Sequence, residues 1–239
     1  MNFIKNMLFI LWTYFYQLTI KHHQRNIRKY RAQGDYEKER AEIRTAQDAW
    51  ADALIKKAKI KINVSGTENI PEGTVLFVSN HQSYWDIPVF LAAIRGKQFG
   101  FIAKSDLSKL PSYGEWMIDI RCVFIEREDT RASLKAIEEG INLLKQGFSL
   151  VIFPEGTRSK GREMGKFKKG SLRLATKTGI PIVPITIDGT YKAYEEKGYL
   201  QPASVSFKIH KPIETKGMSR KEIAELPEKV EKIIRDGLF

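Results

Sequence analysis

The sequence predicts an α/β fold, a mixed and largely parallel sheet flanked by helices, preceded by an N-terminal two-helix hairpin. From residue 61 onward, short apolar runs alternate with stretches of helical periodicity, the pattern of strands joined through helices. The connections are short, with no repeat or low-complexity segment. Residues 1–60 differ in texture. They carry 12 Lys+Arg against 6 Asp+Glu, half of the net charge of +12. A chain of 239 residues fits one domain plus an appendage, so the division falls into a helical segment, 1–60, and an α/β domain, 61–239.

In the first segment, residues 3–20 (FIKNMLFILWTYFYQLTI) are apolar and aromatic, and the basic run Lys21, Arg25, Arg28, Lys29 and Arg31 follows. Lys5 and Asn6 interrupt the apolar stretch early, and no small-residue cleavage site ends it, so it does not read as a secretory signal. Its 18 residues include Lys5, Asn6 and Gln17, whereas a span needs roughly 20 mostly apolar ones. Trp12, Tyr14, Phe15 and Tyr16 are residues that prefer the headgroup level of a bilayer. The expectation is a helix lying in one leaflet or dipping into it. Gln33-Gly34-Asp35 predicts a turn. A second helix over 36–58 carries an apolar stripe through Ile43, Ala46, Trp50, Ala53, Leu54 and Lys57. The competing reading is an ordinary hairpin packed on the core.

In the second segment the expected strands are 60–64, 74–79, 99–103, 122–126, 149–153, 182–187 and 205–209. The expected helices are 88–95, 113–119, 131–145, 169–178 and 220–236. Pro184 lacks an N–H for a sheet ladder and marks an edge or a bulge. The apolar run 180–187 either walls an acyl pocket or forms core strand. In such sheets, ligands gather beyond the strand ends.

Composition narrows the chemistry. The single cysteine, Cys122, excludes an internal disulfide and a multi-thiolate metal site, and four histidines leave little room for a His-rich cluster. The positive charge favours an anionic partner: a lipid surface, a phosphorylated substrate or nucleic acid. No helix-turn-helix, zinc-finger or aromatic ribonucleoprotein motif is present, so nucleic acid is not the expected partner.

The chemistry-bearing residues cluster after predicted strands. Asn80-His81-Gln82-Ser83-Tyr84-Trp85-Asp86 follows the second strand. A carboxylate can fix an imidazole's tautomer while the imidazole takes a proton from a hydroxyl. Five residues apart on one helix, His81 and Asp86 would face different ways, so a turn must bring them together. Asp86 is alternatively a helix N-cap. Phe153-Pro154-Glu155-Gly156-Thr157-Arg158-Ser159 follows the fifth strand. Pro154 and Gly156 shape a tight turn, Thr157 offers a hydroxyl, and Arg158 a planar fork for phosphate. Glu155 can hold that arginine. Arg127 and Lys104 are further cationic candidates at strand ends. Lys160, Arg162, Lys166, Lys168, Lys169 and Arg173 continue the basic character, either as a solvated face or as a docking patch.

Together these blocks resemble the glycerolipid acyltransferase family, most closely its small bacterial 1-acyl-sn-glycerol-3-phosphate acyltransferase members. The carrying features are H-x4-D at Asn80–Asp86, V-F-I-x-R at Val123–Arg127, F-P-E-G-T-R-S at Phe153–Ser159, and I-V-P at Ile182–Pro184. All four stand in the family's order. The stretch from Phe101 to Leu110 is similar to the segment between the first two blocks. Arg121 stands where many members carry glycine.

The resemblance implies transfer of a fatty acyl group to the sn-2 hydroxyl of lysophosphatidic acid, giving phosphatidic acid. His81, oriented by Asp86, would act as base, with direct attack and no acyl-enzyme. Arg158 and Arg127, with Lys104, would bind the substrate phosphate, and Glu155, Gly156 and Thr157 would shape that site. For the oxyanion the candidates are amides near Ser83 and the Asn80 side chain. No metal or redox cofactor is implied. The co-substrate would be acyl-coenzyme A or acyl-carrier protein, landing on the basic patch. The expected location is the cell membrane, peripheral or monotopic, on the cytoplasmic face.

Overall fold

In the computed structural model, which describes residues 2–126, 129–168 and 170–238, the elements follow the expected alternation. Helices α1 (Asn2–Thr19), α2 (Lys21–Ala32) and α3 (Tyr36–Ala58) precede strand β1 (Ile60–Ser65). Then come β2 (Leu76–Ser79), α4 (Asp86–Ala93), β3 (Phe99–Lys104), α5 (Tyr113–Asp119), β4 (Val123–Ile125), α6 (Thr130–Lys145) and β5 (Ser149–Ile152). The chain ends with α7 (Arg173–Thr178), β6 (Ile182–Asp188), β7 (Ala203–Ile209) and α8 (Arg220–Arg235).

All seven expected strands form, in one sheet of order β1-β7-β6-β2-β5-β3-β4. Only the β6/β7 pair is antiparallel. The parallel strands β6, β2, β5, β3 and β4 therefore end at one edge of the sheet. There Ser79 runs on to His81, Ile152 to Glu155, and Asp188 to Thr190. Helix α7 begins at Arg173; the expected start at 169 lies outside the described residues, and 170–172 form a turn.

Helices cover both faces. Phe77, Phe99 and Phe101 meet Phe90 of α4, as do Phe153 and Phe207, at ring-centroid distances between 5.1 and 6.2 Å. Alternation puts Leu76 and Leu150 on the other side, where Leu150 approaches Gly140 of α6. Pro184 stands in an interior strand rather than at an edge. It begins the stretch that pairs with β7: His210 N–H donates to its carbonyl at 2.9 Å and the ladder continues from Ile185. At the end of a ladder the missing N–H costs little. The run Ile182–Ile187 is buried throughout as core strand.

The N-terminal segment has three helices, not two, because the basic run Lys21–Arg31 is itself helical. Gln33-Gly34-Asp35 forms the expected turn, with Gly34 at φ +69° and Asp35 accepting from Lys38 N–H. Ile43, Ala46, Trp50 and Leu54 of α3 are buried in the same core as the sheet. Helix α1 packs on the core through Phe9, Trp12 and Tyr16 but leaves much of its apolar surface outside. Its polar Thr13 and Gln17 are buried, and Gln17 Oε1 accepts from Trp50 Nε1 at 3.1 Å. Its apolar Ile4, Leu8, Leu11, Phe15 and Leu18 are exposed, Phe15 to 68%.

Buried charge ties α2 and α3 to α5. Glu39 of α3 is fully buried and accepts from Arg31 Nε at 2.8 Å, and from Arg121 Nε and Nη2 at 2.7 and 2.8 Å. Asp119, also buried, accepts from Arg28 Nε at 2.8 Å and Gln24 Nε2 at 2.8 Å. Arg121 adopts φ +64°, the left-handed region where glycine is comfortable and other residues are strained. Its guanidinium packs 4.7 Å from the Phe148 ring centroid. An arginine at a glycine-type position is thus offset by a bidentate bond to a buried carboxylate. Arg121→Gly relieves the backbone but leaves Glu39 with one partner fewer. The variant should lose about 1–3 kcal/mol of stability, read by urea denaturation; unchanged or higher stability would remove the network from this account.

Candidate active site

The candidate site is built on the turn between β2 and α4. Asn80 closes β2 by acting as a backbone mimic: its Oδ1 accepts from Ile187 N–H and its Nδ2 donates to Ile187 O, both at 2.8 Å. The next residue, His81, is gripped along its main chain by the loop after β5. Its N–H donates to Glu155 Oε1 at 2.7 Å, and its carbonyl accepts from Ser159 N–H at 2.8 Å. The two motifs seen in the sequence thus form one unit.

The His81 ring stacks on Phe153, with centroids 4.2 Å apart and planes 18° apart. Its Nδ1 lies 2.6 Å from Asp86 Oδ2. That oxygen also accepts from Gln82 N–H at 2.7 Å and Ser83 N–H at 3.0 Å, while Oδ1 accepts from the Thr190 hydroxyl. Surrounded by donors, Asp86 is the acceptor in the pair, so His81 Nδ1 carries the proton toward it and Nε2 is left with the lone pair in the neutral ring. Asp86 is fully buried, whereas the His81 side chain retains 19% exposure. The pair is therefore anchored at its inner end and open at its outer end. Asp86 does not cap α4; it sits in the first turn and reaches back to the preceding amides.

Glu155 does not hold Arg158. It accepts from the His81 amide and, through Oε2, from Gly165 N–H at 2.7 Å. Burial pushes its carboxyl above the ordinary 4.5, opposed by these two amide bonds. Gly156 takes φ +73°, and a Cβ there would stand 2.9 Å from Lys168 Cε, so the turn requires glycine. Thr157 is exposed beside it.

The partner of Arg158 is Glu195, in the loop between β6 and β7. Arg158 Nη1 donates to Glu195 Oε1 at 2.9 Å, and its guanidinium carbon lies 3.4 Å from the Tyr84 ring centroid. Glu195 Oε2 accepts from Ser83 Oγ at 2.5 Å, and Oε1 from Tyr84 N–H at 3.1 Å. Gln82, a variable position within the His81 block, accepts through Oε1 from Gly189 N–H at 2.9 Å, whereas Glu195 and Thr190 carry no motif signal in the sequence. Only the fold, which returns the β6–β7 loop to the His81 turn, shows them.

The structure therefore joins His81, Asp86, Glu155, Gly156, Thr157 and Arg158. Lys104 ends β3, separated from β2 by β5, and pairs with Asp106 at 2.5 Å. Arg127 and Lys169 lie outside the described residues. Of the basic patch, Arg162 is engaged by Asp188 at 3.2 Å and Lys168 lies over Gly156. The Ser83 amide and the Asn80 side chain, the candidates for an oxyanion, are spent on Asp86 and Ile187. Cys122 is buried, its Sγ accepting from Phe101 N–H at 3.4 Å, and burial pushes its thiol up to about 12. Among the described residues, no three His, Cys, Asp or Glu side chains converge as a metal site.

This geometry has counterparts among known proteins. A family model described as Acyltransferase matches residues 61–188. The chloroplastic 1-acyl-sn-glycerol-3-phosphate acyltransferase of Arabidopsis thaliana is 42% identical over 157 residues, covering 64% of this chain and 44% of its own length. The 1-acyl-sn-glycerol-3-phosphate acyltransferase of Borreliella burgdorferi is 33% identical over 181 residues, 75% of this chain and 70% of that protein. The crystal structure of PlsC, the 1-acyl-sn-glycerophosphate acyltransferase from Thermotoga maritima, superposes with a TM-score of 0.81 at 33% identity. It covers 100% of this chain and 96% of its own. The chain spans less than half the length of the chloroplastic relatives from Arabidopsis thaliana and Brassica napus.

The raised Glu155 carboxyl has a consequence for stability. A buried acid that holds its proton more tightly when folded stabilises the fold at low pH and loses that contribution as pH rises from the ordinary value through the raised one. Wild type should therefore lose stability relative to Glu155→Gln as pH rises from about 4.5. Denaturation curves of both proteins across that range check this; a difference that does not vary with pH would contradict it.

Proposed function

The chain belongs to the acyltransferase family, and on that premise we propose that it moves a fatty acyl group from an acyl thioester to the sn-2 hydroxyl of 1-acyl-glycerol-3-phosphate. The observation that carries this reading is the His81–Asp86 pair, with Nδ1 held against a carboxylate already surrounded by donors. In the proposed step, His81 Nε2 takes the hydroxyl proton as the oxygen attacks the thioester carbonyl. Collapse of the tetrahedral intermediate breaks the C–S bond, and the imidazolium returns the proton to the departing thiolate. Asp86 supports the positive charge formed on the ring in between. The buried, high-pKa Cys122 is unsuited to act as a nucleophile, which supports direct transfer without an acyl-enzyme.

Arg158 is the proposed ligand of the acceptor phosphate. It belongs to the loop that grips His81, so anion binding would set the hydroxyl relative to the base. Lys104, at the end of β3, and Arg127 are proposed to assist in binding that phosphate. Glu155 is assigned to shaping the turn rather than to contact with substrate. The acyl donor is proposed to be coenzyme A-bound or carrier protein-bound, and no metal or redox cofactor enters the reaction.

The exposed apolar residues of α1 support a membrane-surface location. Among the described residues no helix is long and apolar enough to cross a membrane. An exposed apolar face beside the basic α2 instead suits a helix seated in one leaflet against anionic headgroups. The cytoplasmic face is proposed from the position of Lys21–Arg31.

Two measurements test the reading. Acyl transfer to lysophosphatidic acid in detergent micelles, with coenzyme A and carrier-protein donors, should be lost by about 10²- to 10⁴-fold in His81→Ala; a variant of near-normal activity would overturn the assignment of the base. Leu8, Leu11 and Phe15 are exposed, so replacing all three with lysine should spare the fold. It should weaken sedimentation with phosphatidylglycerol vesicles by about tenfold or more; unchanged sedimentation would remove α1 as the anchor.

A further inference from the structure

Glu195 stands out because its buried carboxylate makes bonds to both halves of the site, the Ser83–Tyr84 turn and Arg158. Its side chain is 5% exposed and lies against an arginine that is 20% exposed. One oxygen collects Arg158 Nη1 and Tyr84 N–H; the other collects the Ser83 hydroxyl, which in turn accepts Trp85 N–H at 3.0 Å. The turn that carries it is pinned on both sides. Gly198 N–H donates to Tyr194 O at 2.7 Å, Asn6 Nδ2 to Gly198 O at 3.1 Å, and Leu200 N–H to Asn6 Oδ1 at 3.1 Å.

We infer that Glu195 is a positioning residue that holds Arg158 in the orientation in which it receives the acceptor's phosphate. The inference rests on the proposed role of Arg158. An arginine side chain carries large rotamer entropy, and ordering it ahead of binding removes that cost from the binding step. Glu195 does this from one end of the fork and the Tyr84 ring from the face. A guanidinium has five N–H donors, so the bond at Nη1 leaves donors for a bidentate phosphate contact. Because Glu195 also binds Ser83 and Tyr84, between His81 and Asp86 in sequence, it sets the distance between the phosphate grip and the base. A carboxylate beside a phosphate site also repels the anion, so its presence is explained by orientation rather than by attraction.

The distinction between the carboxylate's geometry and its charge gives the test. Glutamine keeps an oxygen for Arg158 and Tyr84 and an amide that donates to Ser83 Oγ; alanine keeps neither. Binding of a short-chain lysophosphatidic acid by titration calorimetry and steady-state turnover are measured for wild type, Glu195→Ala, Glu195→Gln, Arg158→Ala and the double alanine variant. Glu195→Ala should weaken acceptor binding and raise acceptor KM by about tenfold, with donor KM unchanged. Glu195→Gln should restore most of the loss, and the double variant should be no worse than Arg158→Ala alone, because both act through one contact. Unchanged acceptor binding in Glu195→Ala, losses that multiply in the double variant, or a fall in kcat alone with both KM values intact would overturn the inference. Absence of turnover in wild type that still binds the lipid through Arg158 would overturn the acyl-transfer reading and leave the inference standing. Wild-type binding that does not depend on Arg158 would overturn the inference itself.

Discussion

Asp86 Oδ2 gathers three hydrogen bonds from within five residues of chain: one from the His81 ring and two from the amides of Gln82 and Ser83. This convergence fixes the rest of the site. The two amide bonds bend the chain back so that a histidine five residues earlier reaches the carboxylate, which a continuous helix would forbid. Once the turn is set, the His81 main chain is placed to meet Glu155 and Ser159, and its ring to lie on Phe153. Phe153 in turn belongs to the aromatic cluster around Phe90, so the ring's orientation is backed by the packed interior. A polar network of this kind is stable because each buried carboxylate is met by donors.

The same logic appears in a second buried network. Glu39 and Asp119 are buried carboxylates held by Arg31 and Arg28 of α2 and by Arg121 in the turn after α5, and they anchor α2 and α3 to α5. Breaking either grip would leave an uncompensated charge. That anchoring keeps the helices beside α1 fixed while α1 turns its apolar side outward. The α/β body thus carries the site at one end of its sheet and, on its N-terminal side, a helix with a row of exposed apolar residues.

Much of this was legible in the sequence because it rests on local pattern. The seven strands follow apolar runs, and the His81, Glu155 and Arg158 blocks fall where parallel strands end. What escaped the sequence is the pairing between distant residues. Glu155 reads as the natural partner of Arg158 three positions away, yet the backbone turn at Gly156 sends it to the His81 amide, and Glu195 takes the arginine from 37 residues on. Pro184 reads as an edge marker because periodicity does not reveal where a ladder begins. Arg121 reads as a mild departure from glycine; only its φ and its bond to Glu39 show how a strained position is offset. The helical character of Lys21–Ala32 was masked by its charge, since its burial is confined to Gln24 and Ile27.

The central claim is that Asp86 fixes the His81 tautomer, leaving Nε2 as the proton acceptor. Nitrogen-edited NMR of histidine-labelled protein reads this directly, with the His81 signals assigned from the spectrum of His81→Gln. The account predicts that the neutral His81 ring carries its proton on Nδ1, in a strongly downfield-shifted hydrogen bond that is lost in Asp86→Ala, with Nε2 bare. A neutral ring protonated on Nε2, with Nδ1 bare toward Asp86, would contradict it.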